Sequence, residues 1–212
     1  MPRIFTAESP EIVHLKQADN ELAQLIDKVG DIDLPQNGSY FESLALAVVS
    51  QMLSAKVAAV IKQRLYALCS GSITPESISA LEDEQIRGIG ISFAKIRSIK
   101  DLSQKVQSAE LSFESCGDMS DEDVIRSLTK VKGIGKWTAE MFLIFSLGRL
   151  DVLSLGDVGL QRAANWLYAQ ADPSETPDCL VRYSGRWSPY RSVASLYLWR
   201  AVDDGYVVRV VD

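Results

Sequence analysis

Residues 128–139 read Leu-Thr-Lys-Val-Lys-Gly-Ile-Gly-Lys-Trp-Thr-Ala, with two glycines one residue apart between an amphipathic stretch and a strongly apolar one. Glycine adopts backbone conformations barred to other residues, so Gly-X-Gly stops one helix and lets the next start at once. The chain on both sides carries apolar residues at helical spacing, and the alternation expected of strands is scarce. The pattern predicts an all-α protein containing a tight helical hairpin at Val131–Gly135.

The other boundaries follow from the same signals. A helix is predicted over Ala18–Val29, ended by Gly30. Ser39 and Glu42 have capping-box spacing ahead of an apolar helix over Phe41–Val49. Ser54 caps a helix to about Leu68. Thr74-Pro75-Glu76 starts a short helix, and Asp83–Arg87 forms another. Ser92 leads a helix to about Ser108, and Phe113–Asp118 is a polar connector. Ser120 and Asp123 open a helix to about Thr129. Beyond the hairpin, helices are predicted over about Lys136–Leu147, from Asp157 to about Ala169, and from near Pro189 to near Val202. Pro173 and Pro177 bracket a connector, and Tyr206–Val211 reads as strand or tail. The acidic segment before Gly88-Ile89-Gly90 faintly echoes the one before the hairpin, which is too little for a repeat.

Composition excludes several classes. The chain has 212 residues, enough for one domain or two small lobes. No apolar run reaches the roughly 18–20 residues a membrane span needs, and Met1–Phe5 lacks a signal-peptide pattern; the expectation is an intracellular protein without membrane contact. Cys69, Cys116 and Cys179 are far apart and odd in number, with no zinc or iron–sulfur spacing. His14 is the single histidine, so imidazole-based acid–base schemes have little to work with. The net charge of −6 and pI of 4.9 argue against nucleic acid as a partner.

The hairpin bears on that objection. A helix beginning at Lys136 leaves its first amides without intrahelical acceptors, and they carry the positive end of the helix dipole. A phosphate fits there without a basic surface. The carbonyls of Val131 and Gly133 could coordinate Na+ or K+ as a bridge to phosphate. A bare Gly-X-Gly is otherwise an ordinary cap and turn.

The longer pattern resembles the hairpin of the helix-hairpin-helix DNA glycosylases. Downstream, Asp151-Val152-Leu153-Ser154-Leu155-Gly156-Asp157 is similar to the family's loop and catalytic helix start, with Asp157 at the catalytic position and Asp151 at an ordinary acidic one. Tyr40–Leu44 through Ser50-Gln51-Met52-Leu53-Ser54 looks like the segment that enters the DNA minor groove. Arg186–Ala194 through Trp199-Arg200 looks like the C-terminal helix. The resemblance runs in order from about Gly38 to Arg200 and is nearest the 3-methyladenine DNA glycosylase II branch.

That resemblance implies two helical lobes flanking a DNA-binding cleft, lobe one about 33–130 and lobe two about 1–32 plus 131–212. It implies a monomer that everts and hydrolytically removes alkylated bases, of 3-methyladenine type and also 7-methylguanine, from double-stranded DNA. Asp157 would offset the charge on the sugar. Trp137, Trp199, Met141 and Val158 would line the base pocket, the last two standing where relatives often carry aromatics. Met52, then Leu53 and Gln51, would form the wedge. Gly133, Ile134, Gly135, Lys136 and Thr138 would hold the DNA backbone. No cofactor is required. Bifunctional relatives carry a lysine where this chain has Trp137, so strand-cleaving lyase action is not expected. Three other readings stay open: a glycosylase for oxidised or mismatched bases, a non-catalytic helix-hairpin-helix module, and an acidic protein-interaction domain.

Overall fold

The computed structural model describes residues 2–35, 39–171 and 178–207. The chain forms two compact units, one of residues 1–36 and 148–212, the other of residues 37–147. Among the described residues, helices dominate and a single two-stranded sheet accompanies them.

The terminal unit starts with β1 (Arg3–Phe5), which pairs antiparallel with β2 (Ile32–Leu34) and places Phe5 opposite Ile32. Between them lie α1 (Pro10–Ala18) and α2 (Asn20–Val29). The expected helix over Ala18–Val29 thus starts later, and α1 was not anticipated. Its apolar contribution is mainly Ile12 and Leu15, set among polar residues, which masks the periodicity. Asp19 separates the two helices in an extended conformation, and its carboxylate accepts the Leu22 amide at 2.9 Å. The same buried carboxylate accepts from the Trp187 indole N–H at 3.1 Å and from the Tyr168 hydroxyl. Burial, then the Asp19 contact, pushes the Tyr168 phenol far above its ordinary pKa, so it remains a donor. Helices α10 (Val158–Ala171) and α12 (Arg191–Asp203) complete this unit, with the short α11 (Cys179–Tyr183) between them. Phe5, Leu15, Leu22, Leu160, Trp187 and Tyr197 are buried in its core.

The central unit holds α3 (Tyr40–Ser50), α4 (Ala55–Leu68), α5 (Pro75–Ala80), α6 (Asp83–Gly88), α7 (Phe93–Gln107), α8 (Asp121–Leu128) and α9 (Lys136–Phe145). Helix α3 packs on α4, α7 and α9, and α8 packs on α9. This moves the hairpin and its helix out of the lobe that the sequence assigns to residues 131–212. Val131, Ile134, Ala139, Phe142, Leu143 and Ile144 are all buried, and Phe142 meets Tyr40 edge-on at 5.5 Å between ring centroids. The boundary falls at Leu147/Gly148, where Gly148 takes φ 68°.

Two local readings change. Ser39 accepts the Glu42 amide at 3.4 Å, but Glu42 turns away to the Tyr66 hydroxyl, so only half the box forms. A full box forms instead at Thr74 and Ser77. The connector at Phe113–Asp118 winds into a 3-10 turn over Glu114–Gly117. Tyr206 and Val207 form no strand; the remainder of that segment and the Pro173–Pro177 connector lie outside the described residues.

The loop leading into α10 is pinned by Asp151. Its Oδ1 accepts Arg191 Nε at 2.7 Å, and its Oδ2 accepts Arg191 Nη2 and Ser188 Oγ, each at 2.9 Å. Burial alone would raise this carboxyl's pKa, but the Arg191 and Ser188 hydrogen bonds outweigh it and hold it below the ordinary value. A depressed folded-state pKa contributes stability above the unfolded pKa that disappears as pH falls. Asp151→Asn is therefore expected to lower stability at pH 7 by about 1 kcal/mol, about 2–4 °C in Tm. The deficit should be smaller at about pH 3 than at pH 7, because the contribution fades as pH falls below the unfolded carboxyl value and through the lowered folded one. Thermal unfolding of both proteins at the two pH values checks this; an unchanged deficit would show that charge plays no part.

Candidate DNA-binding and excision site

The hairpin begins where α8 ends at Leu128. The Val131 amide bonds to the Leu128 carbonyl at 3.0 Å and the Ile134 amide to the Val131 carbonyl at 3.1 Å. Gly133 takes φ 79°, and a Cβ there would lie 2.2 Å from Ser98 Oγ on α7, so fold and sterics both demand glycine. Gly135 differs from expectation. It is extended, with φ −92° and ψ 176°, a conformation open to any residue, and a Cβ on it would meet nothing within 4 Å. It is the N-cap of α9 and supplies no side-chain acceptor to that helix's first amides. The amide of Lys132 is held by Asp101 Oδ2 at 2.9 Å, which ties the turn to α7 a second time.

Of the backbone-binding candidates, Ile134 and Thr138 have buried side chains. Any part of theirs in holding DNA would fall to main-chain atoms. Thr138 Oγ1 and the Gly133 carbonyl both accept from Gln51 Nε2, at 3.4 and 3.1 Å. Gln51 therefore does not point outward as part of a wedge; it fastens the end of α3 to the hairpin. Lys136 is exposed, 3.7 Å from Glu140. Met52 follows Gln51 at a left-handed φ of 57° with its side chain fully exposed, at 101% relative accessibility. A core role for Met52 is excluded. Leu53 is partly exposed, at 37%. Trp137 on α9 is 47% exposed, too open for a core residue, and Met141 is half-buried one turn later.

In the terminal unit, Asp157 precedes α10 and caps it: Oδ1 accepts the Leu160 amide at 2.9 Å. The same oxygen accepts from Trp199 Nε1 on α12 at 3.3 Å. The side chain is nearly buried, at 9% exposure. Trp199 thus makes a polar contact that its assignment as pocket lining did not include. Val158, the next residue, is 64% exposed. Gly159 completes the cluster. A Cβ on it would lie 3.0 Å from Asp157 Oδ1 and 3.7 Å from Trp199 Cδ1. Sequence reasoning missed Gly159, although a glycine in the first turn of a helix is a weak signal of close approach.

The chain's acidity is unevenly placed. The central unit holds 12 of the 22 Lys and Arg and 13 of the 28 Asp and Glu, so its formal charge is −1 and that of the terminal unit is −5. Within the central unit, residues 43–75, 85–100 and 124–139 contain no acid and carry 11 of those 12 cations. These stretches include the Met52 turn, the start of α7 and the hairpin. The net charge therefore does not describe the surface that bears these features.

A family model described as HhH-GPD superfamily base excision DNA repair protein matches residues 45–184. The chain belongs to that superfamily. It is similar to a solved DNA-3-methyladenine glycosidase from Bacillus halodurans, with 42% identity and a TM-score of 0.85, covering 94% of this chain and 92% of that one. It is also similar to the Schizosaccharomyces pombe 3-methyladenine DNA glycosylase solved in complex with abasic DNA, with 31% identity and a TM-score of 0.80, covering 96% and 100%. A Bacillus subtilis relative is 37% identical over 129 residues, 61% of this chain and 45% of its own length. Among HhH-GPD proteins, these matches place the chain in the 3-methyladenine glycosylase branch.

The two hairpin glycines should respond differently. Gly133→Ala is expected to cost at least about 1 kcal/mol, from the positive φ alone, with the Ser98 clash added. Gly135→Ala should leave Tm within about 2 °C, as for an exposed site free of clashes. Differential scanning fluorimetry decides; equal losses would mean that both glycines serve the fold.

Proposed function

We propose that this chain everts a damaged nucleotide from double-stranded DNA and hydrolyses its N-glycosidic bond, releasing 3-methyladenine-type bases and leaving an abasic site. 7-Methylguanine is included as a second substrate. The observation that carries the reading is Asp157. Its nearly buried carboxylate is fixed at a helix start by the Leu160 amide and the Trp199 indole N–H. A carboxylate so held is preorganised, and needs little rearrangement when positive charge develops beside it.

Alkylation at a ring nitrogen makes the base cationic, so it leaves with the bonding electrons as a neutral molecule. The C1′–N bond breaks, the sugar passes through an oxocarbenium-like state, and water adds at C1′ and gives up a proton. Asp157 offsets the sugar's charge and orients that water. The exposed face of Trp137 and the ring of Trp199 attract the cationic base, by roughly 0.5–2 kcal/mol each, with Met141 and Val158 as further base contacts. Two non-aromatic residues there favour a narrow substrate range.

The amides at the start of α9 take a phosphate of the DNA backbone, with Gly135 allowing close approach and Lys136 adding charge. The Val131 and Gly133 carbonyls accept from Ile134 and Gln51 respectively, and each carbonyl oxygen has two lone pairs. These two carbonyls would be the protein's oxygens for Na+ or K+, which would supply positive charge near the phosphate. Met52, with Leu53 beside it, fills the gap left in the base stack. Bifunctional excision requires an amine to attack the sugar; Trp137 stands where that lysine falls. The protein acts as a monomer, in whichever compartment holds the DNA.

Asp157→Asn is expected to lower single-turnover release of bases from methylated duplex DNA by at least about 100-fold while affinity for that DNA changes little. Chromatography of the released bases identifies the substrates, and retained excision would remove Asp157 from the mechanism. Gly159→Ala should reduce excision about tenfold or more by displacing the carboxylate. Borohydride is expected to trap no covalent adduct, and trapping would favour a lyase.

A further inference from the structure

The turn that carries Met52 is held from two sides. Helix α3 ends at Ser50, and its last carbonyls have no intrahelical donors. The ammonium of Lys95, reaching across from α7, bonds to the Val49 carbonyl at 2.9 Å and to the Gln51 carbonyl at 2.6 Å. It thus supplies donors and positive charge at a helix C-terminus, where the dipole favours a cation. On the other side, Gln51 donates its side-chain amide to the hairpin. Between these attachments Met52 keeps φ 57° and full exposure. A left-handed conformation is disfavoured for any residue with a Cβ, and persists only where the surroundings impose it.

We propose that Lys95 is a positioning residue for base eversion: by gripping the two carbonyls that precede Met52, it fixes the wedge in the attitude that enters the base stack. The proposal rests on the reading of Met52 as the wedge. Lys95 lies on a helix rich in cations, so the rival role is a direct phosphate contact. The geometry favours positioning, because the ammonium is committed to two main-chain oxygens of its own protein.

The test compares Lys95→Met, Lys95→Arg, Met52→Ala and the Lys95→Met/Met52→Ala double variant on methylated duplex DNA. Single-turnover excision, affinity for undamaged duplex across a salt series, and Tm are read for each. Lys95→Met is expected to slow excision about tenfold, as a misplaced group does, with affinity and salt slope unchanged. Lys95→Arg, which keeps charge and donors, should recover most of the rate. Met52→Ala should slow excision by a similar factor, and adding Lys95→Met to it should cost nothing more. A salt slope reduced by about one in Lys95→Met would assign the lysine to phosphate and overturn the proposal. A Lys95→Met loss that persists in full in the Met52→Ala background would also overturn it. If Met52→Ala excises normally, the wedge reading fails and takes the proposal with it; if Met52→Ala alone is slow, only the proposal on Lys95 fails. Should Lys95→Met not fold, Lys95→Gln, which keeps amide donors but not the charge, carries the same comparison.

Discussion

The hydrogen bond from Gln51 Nε2 to the Gly133 carbonyl joins residues 82 positions apart. Two features that look independent in the chain, the turn after α3 and the hairpin before α9, become one construction through it. The hairpin is tied a second time to α7, through Asp101 and the space that Ser98 denies to any side chain at Gly133. The turn is tied to α7 as well, through Lys95. Helix packing among α3, α7 and α9 therefore sets the placement of Met52 relative to the start of α9. On the proposed reading, a phosphate bound at that helix start would position Met52 on the same duplex without a separate adjustment.

An acidic chain that handles DNA is less paradoxical once charge is followed along the fold. Phosphate binding needs cations and amide donors near the backbone, and long-range repulsion is screened within roughly 8–10 Å at physiological salt. The central unit clears acids from the three stretches around its turn and hairpin, while most of the net negative charge belongs to the terminal unit. Amides at a helix start add attraction that no count of Lys and Arg records.

Much of this was legible in the sequence because its signals are local. Helix starts at Ser54, Thr74, Ser92 and Ser120 follow from side chains that cap their own helices or from the break in periodicity beside them, and the hairpin follows from Gly-X-Gly. Contacts between distant segments were not legible. Nothing near Gln51 says that its amide serves a carbonyl on the hairpin rather than a DNA base, and nothing near Lys95 says that it grips the end of α3. The lobe boundary was misplaced for a related reason: the apolar face of α9 has no marking that distinguishes α3 from α10 as its partner. Helix α1 escaped because its two fully buried aliphatics sit among Glu11, His14 and Lys16, too few to impose a period.

The starts of α9 and α10 solve one electrostatic problem in opposite ways. Each presents amides that need acceptors and a dipole that favours negative charge. At α10 the acceptor is internal: the Asp157 carboxylate caps the Leu160 amide, and this holds the acid in one place. At α9 the cap is Gly135, which brings no acceptor of its own. Serine or aspartate would stabilise that helix better, by roughly a few tenths of a kcal/mol. Neither backbone conformation nor crowding calls for glycine there, since φ is ordinary and the Cβ position is empty. What glycine does provide is an approach without a side chain, and it brings no capping acceptor of its own. Those properties would suit an anion arriving from outside the protein, as the proposed function requires. On the proposed reading, the contrast between the two helix starts separates their tasks: one would keep its negative charge for the sugar, and the other would leave room for the phosphate.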